Sequence, residues 1–162
     1  IDAILINNVS KDIEKFVALA KKVANLDIPV IVATENPKAA KSVLSLFNGK
    51  NPLLYGINDT NTEAMVEVAK TFKVAVGVKA EGLEALSTLT EKVKSLGIDS
   101  IVIDSCGRTA QQILHHNTFI RRAAVKKNFK PLGYPIINFV QREDPMYEAL
   151  IASISIAKYA SI

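Results

Sequence analysis

Six short apolar runs punctuate the chain: Ala3-Ile-Leu-Ile6, Pro29-Val-Ile-Val-Ala33, Pro52-Leu-Leu-Tyr55, Val74-Ala-Val-Gly-Val78, Ser100-Ile-Val-Ile103 and Tyr134-Pro-Ile-Ile-Asn-Phe-Val140. Each is too short for a helix, and its β-branched content and turn-residue borders predict a strand buried on both faces. The segments between them are amphipathic. From Lys11 to Ala24, for example, Ile13, Phe16, Val17, Ala20, Val23 and Ala24 fall on one helical face and lysines on the other. Ser10, Asn36-Pro37, Thr60 and Asp144-Pro145 read as helix starts, and Asn48-Gly49 and Leu96-Gly97 as stops.

Strand and helix therefore alternate through six units, which predicts an α/β fold with a parallel sheet. Two closures compete. A (β/α)8 barrel needs eight units and about 250 residues, so this chain would supply six of the eight. An open doubly wound sheet would carry a G-x-G-x-x-G phosphate turn after its first strand, where this chain continues Asn7-Asn8-Val9-Ser10. The pattern leans to the barrel.

A chain of 162 residues suits one well-buried domain, and residues 1–162 are expected to form a single one. Hydrophobic residues make up 49% and mean hydropathy is +0.19, which fits buried parallel strands and excludes disorder. The net charge of +4 comes from 20 Lys and Arg against 16 Asp and Glu scattered along the chain. That distribution argues against nucleic acid as a partner. A single cysteine cannot close an internal disulfide, and no apolar run reaches the length of a membrane span, so a soluble cytoplasmic protein is expected, with no membrane partner. Because the chain starts at Ile1, it reads as a piece of something longer.

In either closure the working face lies at the carboxyl ends of the strands. Those ends carry Asn7-Asn8, Thr34-Glu35-Asn36, Asn58-Asp59, Lys79 with Glu81, Asp104-Ser105, and Asn138 with Gln141. Amides supply both donors and acceptors, and a carboxylate accepts from two N–H groups at once, so the set could hold a flat heterocycle. The same residues could equally cap helices and turns. Asp104 is the best single candidate, following three apolar residues and preceding Gly107. Cys106 has no second cysteine at metal spacing, and His115-His116 are consecutive, so on a helix their side chains diverge by about 100°. Cys106 reads as a small buried hydrophobe, and Arg121, Arg122, Lys126, Lys127 and Lys130 as a basic helix surface. Lys79 at a strand end also permits an aldolase-like Schiff base.

The segments Lys50-Asn-Pro-Leu-Leu-Tyr55, Ile120-Arg-Arg-Ala-Ala124, Pro131-Leu-Gly-Tyr-Pro135, Asp144-Pro-Met146 and Ile156-Ala-Lys-Tyr-Ala-Ser-Ile162 resemble the large (gamma) subunit of the corrinoid/iron-sulfur protein of the acetyl-CoA decarbonylase/synthase complex. The resemblance implies a TIM barrel of the dihydropteroate synthase-like type, with strands two to seven in this chain. It implies a pterin-dependent corrinoid methyltransferase subunit that passes a methyl group from a methyl-tetrahydropterin to corrinoid cobalt and on to acetyl-CoA synthase. Glu35, Asn58 and Asp104 would bind the pterin, and Asn138 would be catalytic, hydrogen-bonding the nitrogen that the methyl leaves. The corrinoid (cobalamin) and a [4Fe-4S] cluster would sit in flanking domains, with none bound by this segment and no metal site within it. A sister delta (small) subunit would be a partner. A purely structural barrel that docks this sister subunit is the alternative.

Overall fold

The structure, a computed structural model, describes residues 3–162. Five parallel strands, β1 (Ile4–Asn7), β2 (Val30–Ala33), β3 (Leu53–Ile57), β4 (Ala75–Lys79) and β5 (Ile101–Asp104), lie in the order of the chain, β1-β2-β3-β4-β5. Between and after them run the helices α1 (Ile13–Ala24), α2 (Pro37–Leu44), α3 (Thr62–Phe72), α4 (Leu83–Ser95), α5 (Ala110–Lys126) and α6 (Pro145–Ala157). Sequential order in a parallel sheet is the winding of a βα barrel, and the fold is that of a partial one. The chain divides into two compact units. Of the described residues, one comprises 3–77 and 93–100, the other 78–92 and 101–162.

In the first unit, β1 pairs with β2 from Ile4 with Val30 to Asn7 with Ala33, and β2 pairs with β3 from Ile31 with Leu53 to Ala33 with Tyr55. Every residue of β2 is buried, as the uninterrupted apolar run predicts for a strand covered on both faces. The core collects Val32, Leu54 and Ile57 with Val43 and Leu44 of α2 and Met65 of α3. Asn36 caps α2 by accepting from Lys38 N and Ala39 N. The start expected at Ser10 falls instead on Asp12, whose carboxylate accepts from Glu14 N and Lys15 N, and the start expected at Thr60 falls on Asn61.

In the second unit, α5 opens with a reciprocal cap: Thr109 Oγ1 accepts from Gln112 N, and the Gln112 side chain accepts from Thr109 N. Asp144 caps α6, with Pro145 at its first position, as expected. The sixth strand, expected over Tyr134 to Val140, shrinks to a single parallel bridge between Ile103 and Ile136. Ile103 N donates to Pro135 O and Ile137 N to Ile103 O. Pro135 has no N–H to extend the ladder. Residue 160 then bridges Ile136 on the other side, an extra parallel position that the apolar runs did not reveal.

Candidate functional site

In the first unit the polar strand ends are knitted together by a residue that the sequence reading passed over. Asn61, the cap of α3, donates from Nδ2 to Glu35 O at 3.0 Å and to Gly56 O at 3.1 Å, and accepts at Oδ1 from Asn58 N at 2.9 Å. One side chain thus fixes the loops after β2 and β3. Asn58 Oδ1 is itself committed, accepting from Thr60 N, Thr60 Oγ1 and Asn61 N. Glu35 is exposed, and its backbone rather than its carboxylate meets Asn61. Asn8 donates to Thr34 Oγ1, which also accepts from Asn36 N. Gly56 is obligatory here: its φ is +119°, and a Cβ would stand 2.4 Å from Thr34 O. The spacing Asn58-x-x-Asn61, two amides able to cap each other's backbone, is the sequence signal that would have found this turn.

In the second unit Asp104 closes β5, fully buried. Its Oδ1 accepts from Cys106 N at 2.7 Å, and its Oδ2 lies 3.3 Å from Arg108 Nη2. The left-handed φ of Cys106, +55°, lets the backbone turn back on the carboxylate. Arg142, also missed, donates from Nη1 to Phe139 O and from Nη2 to Arg108 O, so the loops after residues 104 and 138 share a clasp. Burial first, and then the Asp104 charge, push the Cys106 thiol above its ordinary value. A thiol so disposed stays protonated near neutrality, which does not suit a nucleophile, although Cys106 is half-buried rather than the buried hydrophobe expected.

The histidine pair lies on α5, and one member reaches back to the end of β5. His116 Nδ1 lies 3.0 Å from Ser105 Oγ, while His115 stacks on Phe119 with ring centroids 6.4 Å apart. Burial and the neighbouring His115 lower the pKa of His116. Ile103 and Ile136 are register partners, so Asp104 shares its face of the sheet with Ile137 while Asn138 belongs to the other face. Accordingly Asn138 Nδ2 donates to Ser155 Oγ of α6 at 3.2 Å.

The family described as CO dehydrogenase/acetyl-CoA synthase delta subunit matches residues 1–162. The chain belongs to this family. Its curated relatives include the corrinoid/iron-sulfur protein large subunit of Moorella thermoacetica, 34% identical over all of this chain and 36% of that protein. They also include the acetyl-CoA decarbonylase/synthase complex subunit gamma 1 of Methanosarcina thermophila, 31% identical over all of this chain and 38% of that protein. The chain therefore spans a little over a third of these relatives. The family description names a delta subunit, whereas these curated relatives are large or gamma subunits. Dihydropteroate synthase of Thermus thermophilus shares the fold at a TM-score of 0.71 and 21% identity, over 98% of this chain and 75% of that one.

The relatives' name mentions an iron-sulfur group, and the residues of this chain do not fit one. A [4Fe-4S] cluster takes four thiolates, and the sequence holds one cysteine. Among the described residues no three His, Cys, Asp or Glu side chains gather as metal ligands, and no helix is long and apolar enough to cross a membrane.

Proposed function

We propose that this chain is the barrel segment of a corrinoid/iron-sulfur methyl carrier in an acetyl-CoA decarbonylase/synthase complex, acting as the scaffold on which the cofactor-bearing parts and a sister subunit are mounted. The observation that carries the scaffold role is the internal commitment of the candidate site residues. The Asp104 carboxylate is held by Cys106 N and Arg108. Asn58 Oδ1 caps the turn into α3, and Asn138 Nδ2 is given to Ser155. Polar groups that satisfy one another define loop conformation at the strand ends and reserve little for a ligand.

A second reading, pterin-dependent methyl transfer to corrinoid cobalt, is favoured by Asp104. A buried carboxylate beside a half-exposed arginine can exchange its Arg108 contact for the adjoining N–H groups of a pterin ring. Methyl departure from N5 then asks the protein only to hold the ring and stabilise the leaving nitrogen, the part given to Asn138, with Glu35 and Asn58 as further ring contacts. The corrinoid would supply the cobalt nucleophile when bound, and no residue of this chain is assigned to it.

Titration calorimetry of the full-length subunit with methyl-tetrahydrofolate and with methyl-tetrahydromethanopterin separates the readings. The scaffold role predicts no heat from either and undiminished methyl transfer in Asp104→Asn once the complex is assembled. Saturable binding that Asp104→Asn abolishes would replace the scaffold with the pterin site.

A further inference from the structure

The charge of this chain is less evenly spread than its total implies. Residues 105–142 hold seven Lys and Arg and no Asp or Glu, leaving 13 of the 20 cations against all 16 acids for the rest. Most of that block is α5 and the turn after it, where Arg121, Arg122, Lys126, Lys127 and Lys130 are all exposed. Along the same helix runs a groove of about 460 Å³, walled by Leu83 and Ser87 of α4 and by Phe119, Ala123, Phe129 and Leu132. Glu84, His115 and Lys127 also line it. A second hollow of about 410 Å³ continues across the His115 and Phe119 ridge and takes in Leu114 and Arg122. Phe119 is 46% exposed, Leu114 43% and Phe129 41%. Large apolar side chains left in water in one contiguous strip mark a surface that something covers.

We propose that the α4–α5 groove docks an acidic amphipathic helix of a partner polypeptide. Three features select that occupant. From His115 to Lys127 the groove follows α5 for about 18 Å at 1.5 Å per residue, room for roughly three helical turns. Its lining is mostly apolar, with the rings of His115 and Phe119 one turn of α5 apart, which suits the i, i+4, i+7 side chains of a helix laid between two helices. Of the charged residues that line the two hollows, Arg122 and Lys127 are cationic and Glu84 is acidic, so acidic residues flanking the apolar stripe would meet Arg122 and Lys127, and a basic residue would meet Glu84. The groove lies within the second unit and does not involve the strand-end residues; the docking deepens the scaffold reading, on which it rests, and is independent of the pterin reading.

The test is fluorescence anisotropy with the intact chain and a labelled synthetic helix of about 16 residues, leucine along one stripe and glutamate elsewhere. Controls are a scrambled peptide of the same composition, a version with lysine for glutamate, and vesicles of phosphatidylserine and phosphatidylcholine. The acidic amphipathic helix should bind, at least about tenfold more tightly than either control peptide. Phe119→Ala and Lys127→Glu, both surface changes, should each weaken it by a similar factor while the circular dichroism spectrum stays that of the parent chain. Equal binding of the scrambled peptide, insensitivity to Phe119→Ala, or preferential binding of the vesicles would each overturn the proposal.

Discussion

Arg108 Nη2 stands 3.3 Å from Oδ2 of Asp104, four residues back along the chain, with the arginine side chain 45% exposed and the carboxylate 1% exposed. The pair is asymmetric. The acid is deprived of water while its partner retains some, so the arginine's role is to compensate a buried charge.

Removing that compensation should be costlier than removing both members. Arg108→Ala is expected to lower unfolding stability by about 1 to 2 kcal/mol, below the usual cost of breaking a buried pair because half the guanidinium already faces solvent. Asp104→Asn in the same background should recover part of the loss, because an amide carries no charge to strand. Urea denaturation of the single and double variants measures the coupling. Additive effects would refute it.

Asn61 makes one hydrogen bond as acceptor and two as donor. Asn61→Ala should cost about 2 to 3 kcal/mol in the same assay, at roughly 1 kcal/mol for each hydrogen bond removed. Asn61→Asp should cost more than alanine, since it keeps the acceptor but turns a carboxylate toward two carbonyl oxygens.

Gly56 and Gly82 both have positive φ but differ in what surrounds them. Gly82→Ala meets open space and should cost about 1 kcal/mol for conformation alone. Gly56→Ala must also move the Thr34 carbonyl, and its yield of folded protein should collapse. Comparable expression of the two variants would contradict this.

His116 links stability to pH. Its pKa is lowered in the folded chain, by burial and then by His115, so the unfolded chain takes up the proton more readily. The contribution is present above the ordinary histidine value of about 6.5 and is lost as pH falls from there through the lowered folded value. Between pH 7.5 and 5.5 the parent chain should therefore lose more stability than His116→Gln, with denaturant midpoints at the two pH values as the readout.

Much of the fold is legible in the apolar runs, because β-branched stretches of four or five residues between turn formers have few other uses. Five of them became strands within a residue or two of their expected limits. The sixth contains Pro135, and a missing N–H next to the bridge at Ile136 is enough to stop a ladder. Asp104 was legible as a buried acid at a strand end. Its partners were not, since whether Arg108 folds back depends on the left-handed turn at Cys106, a conformation that no residue type there announces. Ser105 and His116 meet only because α5 starts where it does and turns at 100° per residue, a geometric relation invisible to local pattern. The basic surface of α5 was legible in Arg121, Arg122, Lys126, Lys127 and Lys130, although a total of +4 conceals that no acid accompanies it between residues 105 and 142.

The Asn61 amide has a consequence for how such chains can vary. It ties Glu35 O, Gly56 O and Asn58 N to one side chain, so the loops after β2 and β3 cannot change length independently. An insertion near Glu35 would draw its carbonyl away and loosen the turn into α3 as well. Substitutions in the two loops should therefore travel together among homologous chains, with Asn61 and Gly56 kept as a pair or surrendered as a pair.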